Sequence, residues 1–318
     1  MERLIYERSI NLGLALDRST NLTYSSALNS YITFCDLHHL AIDPTEDTLS
    51  FFVTFMGSHI NPRSVDNYLS GICSLLEEFY PQVRHARRSR LVSRTLKGIK
   101  RRYGVPVRRK LPLSRSDLGT VLASLSSPAH HDDLLFAAQL LDGFYGLLRL
   151  GELVWPDNPS LRSDSKVTHR TSVVIAESYH SFVLPTHKAD RQFEGSTIVI
   201  HQTDSEDAHG TFLSYLASRD KCFPFHSSLW VRSDGTIPTR AWFISRLRNF
   251  FPESISGHSL RAGGATSLAA AGVTADRIQA MGRWSSDSFH IYVRKNPALL
   301  HALVFHGRSI HEPVFRAI

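Results

Sequence analysis

At 318 residues the chain is long enough for two domains that each bury a core, and 42% hydrophobic with 20% charged residues is the composition of an ordinary soluble protein. No apolar run nears the roughly 20 residues that cross a bilayer, and the opening MERLIYERSI lacks the apolar centre of a secretory signal, so an intracellular location is expected. The net charge of +7 is not spread evenly: twelve of the 36 lysines and arginines, and none of the 29 acids, fall within residues 84–110, which leaves the rest of the chain net acidic.

The first hundred residues read as a helical bundle. NLTYSSALNSYITFCDLHHL, residues 21–40, is long and apolar enough for a helix, and Pro44, Thr45, Glu46 and Asp47 open a second with acids in its first turn. Asn61 and Pro62 break that helix. Val65, Tyr68, Leu69, Ile72 and Leu76 then form the stripe of a third, with Pro81 beyond its end. The basic segment predicts a fourth, ending at Tyr103 and Gly104, in which Leu91, Val92, Leu96, Ile99 and Tyr103 face a core and the outer face stays cationic. That face calls for a polyanion. If about half of its charges met phosphates, log affinity would fall with log salt at a slope of roughly −5. VPVRRKLPLSRSDL has two prolines, no apolar period and a strong charge bias, the marks of an interdomain linker. The expected division is a helical domain over 1–104, a basic linker over 105–113 and a second domain over 114–318, with a tail over 297–318.

Past Ser114, DLGTVLASL and DDLLFAAQLLDGFYGLLRLGELV read as helices, the second so continuously apolar that it should be buried. Between residues 171 and 200 the period drops to two in TSVVIA, SFVLP and STIVI, predicting a small antiparallel sheet of about three strands. Helices resume with TFLSYLASR, TRAWFISRLRNFF and GHSLRAGGATSLAAAG. Gly272 and Gly282 stand where helices should stop, and Thr274 and Ser286 are candidate caps for the next ones. Asn296 and Pro297 end the last, and Leu299, Leu300, Leu303, Val304 and Phe305 of the tail offer an apolar face to this molecule or a neighbour. The expected fold class is mainly α, with a small antiparallel sheet in the C-terminal domain.

Cys35, Cys73 and Cys222 are too far apart for disulfide or zinc spacing and sit among largely apolar residues, so all three read as buried thiols. Four adjacent residues, His130, His131, Asp132 and Asp133, cannot converge on one ion, and a polar helix start explains them better. No metal site is expected.

GHSLRAGG, residues 257–264, sets His258 and Arg261 three apart, on one face of a helix, among small neighbours that would let an anionic object approach. Taken alone, such a pair is more often a helix start with a surface arginine. Arg149 interrupts an apolar helix and has Glu152 three residues on, the spacing of a structural ion pair. Lys188, between two strands, should sit at a hairpin tip, where lysines usually keep an edge soluble. Trp284 and Tyr292 would ordinarily be core.

Together, GLLRLGEL, LPTHKAD, GHSLRAGGAT and MGRWSSDSFHIYVR follow one another in an order that resembles the tyrosine recombinases, the phage-integrase-like enzymes that break and rejoin DNA. The resemblance implies a two-domain architecture, a helical core-binding domain plus a catalytic domain, and a catalytic set of Arg149, Lys188, His258, Arg261, Trp284 and Tyr292, with Glu152 supporting Arg149. Trp284 stands where many members carry a second histidine. Tyr292 would be the nucleophile of a 3′-phosphotyrosyl link, Lys188 the acid for the leaving 5′-oxygen, and His258 the group that shares the phenol's proton. Two guanidiniums, Arg149 and Arg261, suit the charge that builds on the phosphate oxygens without a metal, and no Walker-type glycine loop is present.

The implied function is site-specific recombination giving integration, excision or inversion, by four protomers on two sites of double-stranded DNA, with no cofactor and no membrane. The location implied is the nucleus in a eukaryote and the cytoplasm or nucleoid in a bacterium; KRRYGVPVRRK reads equally as a nuclear import signal or as a DNA-contacting linker. Arg87, Arg88, Arg90, Arg94, Lys97, Lys100, Arg101, Arg102, Arg108, Arg109 and Lys110 are the candidate DNA-binding residues. The alternatives are a type IB topoisomerase-like relaxing enzyme and a catalytically silent DNA-binding descendant, the latter because SLAAAGVTADRIQAMGRWS can be read as helix, glycine turn and helix.

Overall fold

Side-chain caps set where the helices of the N-terminal unit begin. In the computed structural model, which describes residues 1–106, 109–125, 129–186, 194–203 and 206–305, helix α1 (Glu2–Leu14) is followed by α2 (Arg18–Leu37), whose first turn is closed by Asp17 accepting from the Ser19 N–H. Thr45 caps α3 (Glu46–His59), which opens with the expected acids Glu46 and Asp47, and Asn61 caps α4 (Pro62–Leu76), with Pro62 at its first position. The basic segment departs from expectation. It forms two helices, α5 (Val83–Arg88) and α6 (Arg90–Tyr103), because Ser89 leaves the helical conformation and turns its hydroxyl onto the Val92 N–H to cap the second. Tyr31, Phe34, Phe52, Val53, Leu69, Ile72, Val92 and Ile99 make one continuous core. Gly57 and Gly71 let α3 and α4 approach Ile99 and Tyr24 more closely than a Cβ would permit.

The chain divides into two units, Met1–Arg108 and Arg109–Ile318. In the second, a capping box between Ser114 and Asp117 starts α7 (Arg115–Ala123), and α8 (His131–Tyr145) runs through the centre with ten consecutive buried residues from Leu135 to Phe144. The polar start of α8 is structural: His131 bonds Ser218 and the Val231 carbonyl, and Asp133 takes Arg246 at 2.6 Å.

A second departure concerns Arg149, which does not lie inside a long helix. α8 ends at Tyr145, Leu147 takes a left-handed conformation (φ 49°), and Arg149 becomes the N-cap of a four-residue helix, α9 (Leu150–Leu153). Periodicity could not reveal this turn, because Leu147 and Leu148 are buried as completely as the helix before them.

The three strands are β1 (Val174–Ile175), β2 (Tyr179–Leu184) and β3 (Ser196–His201), antiparallel in that order, with His180 opposite Ile200 and Phe182 opposite Ile198. On β3 only Ile198 and Ile200 turn inward. α10 (Ala208–Cys222) and α11 (Arg240–Arg248) complete the main core, where Phe182, Phe212, Tyr215, Trp230 and Phe243 pack with α8. Four C-terminal helices build a smaller core of Leu147, Ala265, Ala269, Ile278, Phe289 and Leu299: α12 (Gly257–Ala270), α13 (Ala275–Met281), α14 (Ser286–Arg294) and α15 (Pro297–Phe305). The fold is therefore mainly helical with a small antiparallel sheet in the second unit. Gly272 ends α12 with φ 86°, while the residue before α14 is Ser285 rather than Ser286. Cys35 and Cys73 are buried, but Cys222 is exposed, because the last residue of α10 faces water. No helix among the described residues is long and apolar enough to cross a membrane.

Candidate active site

α12 carries the deepest charge of the site. Ser256 caps it, and the box with Ser259 holds its first turn, so that Arg261 points inward with only 4% of its surface exposed. The small residues beside Arg261 have a different purpose from the one expected. Gly263 and Gly264 lie against the backbone of Leu113 and Phe144, where a Cβ would collide; they let α12 close on α8 rather than admit a ligand. Arg261 donates from Nη2 to the Gly282 carbonyl, and its guanidinium carbon lies 4.0 Å from the centroid of the Trp284 ring, a cation–π stack. Gly282 is required there, since any Cβ would occupy the space of the Trp284 ring. Nε and Nη1 of Arg261 have no hydrogen-bond partner among the described residues. Burial first, and then repulsion from Arg149, push this guanidinium down to about 9.

Trp284 packs in turn against Tyr292 of α14, with ring centroids 4.7 Å apart and the planes tilted by 38°. The Tyr292 hydroxyl is buried beside Asn296 without a hydrogen bond of full geometry. Burial raises the phenol to about 12, partly offset by Arg261 and Asn296. Its oxygen is thus a protonated, desolvated group within the field of a buried cation.

Arg149 closes the site from the end of α8. Its backbone N–H donates to Glu152 Oε2 at 2.9 Å and its Nη1 to Oε1 at 2.8 Å, so the pairing expected from the sequence is present. The sequence did not point to Arg283. It is left-handed (φ 54°), its side chain is 10% exposed, and Nη2 donates to Glu152 Oε2 at 3.1 Å and to the Leu147 carbonyl at 3.2 Å. Nη1 adds the carbonyls of Met281, at 3.2 Å, and Gly146, at 3.4 Å. An arginine between a glycine and a tryptophan carries no periodic signal that would mark it as buried.

Arg149, Glu152, Arg261, Arg283, Trp284 and Tyr292 are therefore brought together. His258 is one turn ahead of Arg261 on the same helix and exposed. Lys188 falls between β2 and β3 and lies outside the described residues, as does Arg108.

Solved structures share this arrangement of elements. XerH site-specific recombinase, bound to a palindromic difH substrate in a post-cleavage complex, matches with a TM-score of 0.60 at 15% identity, over 88% of this chain and 77% of that one. The Tn1549 transposon integrase in complex with circular intermediate DNA matches with a TM-score of 0.56 at 12% identity, over 92% and 93%. A lambda integrase dimer bound to a COC′ core site matches with a TM-score of 0.51 at 15% identity, over 92% and 93%. The fold is that of the tyrosine recombinases. No protein-family model matches the chain, and no curated protein matches it in sequence.

Within this tyrosine-recombinase fold the cationic segment lies mostly on the surface of α5 and α6. Arg90, Arg94, Lys97 and Arg101 fall on one exposed face of α6, opposite the buried Val92 and Ile99, and Arg88 and Arg102 are exposed beside them. Two candidates are partly occupied: Asp66 accepts from Lys100 at 2.8 Å and from Arg87 at 3.2 Å. Arg109 and Lys110 belong to the second unit, where Lys110 donates to the Glu253 carbonyl at 2.6 Å.

Proposed function

We propose that the chain is a site-specific DNA recombinase that cuts and rejoins strands through a 3′-phosphotyrosyl intermediate. The observation that carries this reading is Arg261: a buried, desolvated guanidinium with two unused donors, stacked on Trp284 and next to the Tyr292 phenol. An unpaired buried cation is costly, and an anion that accepts from Nε and Nη1 relieves the cost. A backbone phosphate has the right charge and the right fork geometry.

In the proposed step the Tyr292 oxygen attacks phosphorus, the bond from phosphorus to the 5′-oxygen breaks, and the phosphoryl group passes to the tyrosine. The phenol's proton goes to His258, and Lys188 protonates the departing 5′-oxygen. Arg149 and Arg261 hold the non-bridging oxygens as their charge grows, with Trp284 adding an indole N–H that only donates. The ester keeps the energy of the broken bond, so a 5′-hydroxyl of another strand reverses the step without ATP, metal or other cofactor. Double-stranded DNA is the partner, gripped through the basic face of α6. Exchange between two duplexes needs four protomers and supports integration, excision or inversion.

The test is a pool of duplexes nicked within randomised sequence, incubated with the full chain. Denaturation-resistant protein–DNA adducts are expected with the parent and none with Tyr292→Phe. An equal yield from the phenylalanine variant rejects the nucleophile. Relaxation of a supercoiled plasmid irrespective of its sequence would favour a topoisomerase, and binding without any adduct a silent DNA-binding protein.

A further inference from the structure

We propose that Arg283 is a positioning residue, which occupies one oxygen of Glu152 and thereby keeps Arg149 from closing on that carboxylate with both of its nitrogens. The proposal rests on the recombinase reading for its role in catalysis, but its geometry stands apart from it.

A carboxylate next to an arginine normally invites a bidentate fork, and a guanidinium so engaged has little left for a phosphate. Here Glu152 is shared. Oε1 accepts from Arg149 Nη1, whereas Oε2 accepts from the Arg149 backbone N–H and from Arg283 Nη2. Arg149 reaches Glu152 through its backbone N–H and through one guanidinium nitrogen, Nη1. One carboxylate thus holds Arg149 and Arg283 together, accepting from one guanidinium nitrogen of each.

The same side chain joins the two supports of the site. Through the carbonyls of Gly146 and Leu147 it holds the turn that sets the start of α9, and hence Arg149. Through the Met281 carbonyl it holds the turn whose next residue, Gly282, accepts from Arg261 and whose Trp284 carries the Arg261 stack. Both turns contain a non-glycine residue in the left-handed region, Leu147 and Arg283 themselves. Such residues persist where surrounding bonds over-determine them, and Arg283 supplies those bonds for both.

A left-handed position accepts glycine or asparagine without backbone strain, so Arg283→Gly and Arg283→Asn remove the side chain and spare the turn. Each is expected to lower the rate of adduct formation between about 10- and 100-fold, the effect of misplacing a positioned group, while DNA affinity stays unchanged. The decisive variant adds Glu152→Gln. In the parent, Glu152→Gln slows the reaction, because three clustered cations lose their anchor. In Arg283→Gly it speeds it, because the carboxylate oxygen that loss of Arg283 leaves open to Arg149 no longer carries the charge that captures it. This reversal of sign is what a merely structural arginine would not give; simple additivity of the two losses, or an Arg283→Gly rate equal to the parent's, overturns the proposal.

Should the parent form no adduct on any duplex, the recombinase reading fails and the anion site is read directly. Inorganic sulfate should then raise the thermal midpoint of the parent. It should raise that of Arg283→Gly less and restore the shift in the double variant. An undiminished shift in Arg283→Gly refutes the proposal independently of catalysis.

Discussion

Burial acts on Arg261 and Tyr292 in opposite directions, lowering the guanidinium and raising the phenol. In the proposed reaction, the cost of burying a guanidinium whose Nε and Nη1 have no partner among the described residues is offset when the phosphate binds. Arg261→Met keeps the stem and removes the charge. It is expected to melt no lower than the parent, yet to form adducts about 10² to 10³ times more slowly, as thermal scans and adduct kinetics will record. Tyr292 adds a signature in pH. Its phenol ionises at about 12 in the folded chain and near 10 when unfolded. Between those values only the unfolded state gives up the proton, so the parent loses stability as pH rises through the window. Tyr292→Phe should lose less over the same range in urea unfolding. The resemblance, rather than any local pattern, points to Arg149, Arg261, Trp284 and Tyr292, each of which alone reads as structural, and the fold sets them close together. The burial of Arg283 was not legible in the sequence, because a turn residue has no period to betray which way it faces.

Of the two caps expected from the sequence, Thr274 does precede α13, whereas Ser285 takes the place expected of Ser286. Thr45, Asn61 and Ser114 each close a first turn, and the hydroxyl or amide that does so is visible in the sequence. Ser89 splits the basic helix by the same chemistry, a cap that the dense flanking charges disguise in the sequence. The end of α8 had no sign at all, since the residues after it are as apolar and as buried as those before. α6 provides a test of its exposed face. Replacing Arg94, Lys97 or Arg101 by alanine should flatten the salt dependence of DNA binding by about 0.9 per charge. Arg87→Ala and Lys100→Ala should change it less, because Asp66 already holds those two. Titrating binding against salt for the five variants distinguishes the groups.

At the scale of the whole molecule, each unit has its own core, and the second is built around a buried polar centre that the proposed chemistry does not use. His180 of β2 points Nε2 at Asp142 of α8, at 3.2 Å, and Nδ1 at His209 of α10, at 3.3 Å, and its ring stacks on Phe212 at 3.9 Å. All three polar groups are enclosed. Burial pushes the Asp142 carboxyl up, and the two histidines pull it back. His180→Ala strands that carboxylate and should cost about 3 to 5 kcal/mol in urea unfolding at neutral pH. Without its partner Asp142 takes up a proton in the folded state at a pH where the unfolded chain remains ionised. The deficit of the variant against the parent should therefore shrink as pH falls towards about 4. The fold itself is recognisable in solved recombinases at 12–15% identity, which shows that this layout of helices and strands survives the replacement of most side chains.

By itself the sequence determined the helical character of the chain, the three-stranded sheet and the cationic segment, because periodicity, caps and charge density act over a few neighbouring residues. Only the tertiary structure decided that Arg261 is desolvated, with two donors that have no partner among the described residues, that the glycines beside it serve helix packing, and that Arg283 meets a carboxylate 131 residues earlier in the chain. Those properties arise when distant segments exclude water from one another. The free energy of a buried charge depends on every group around it, and no local pattern records which groups those will be.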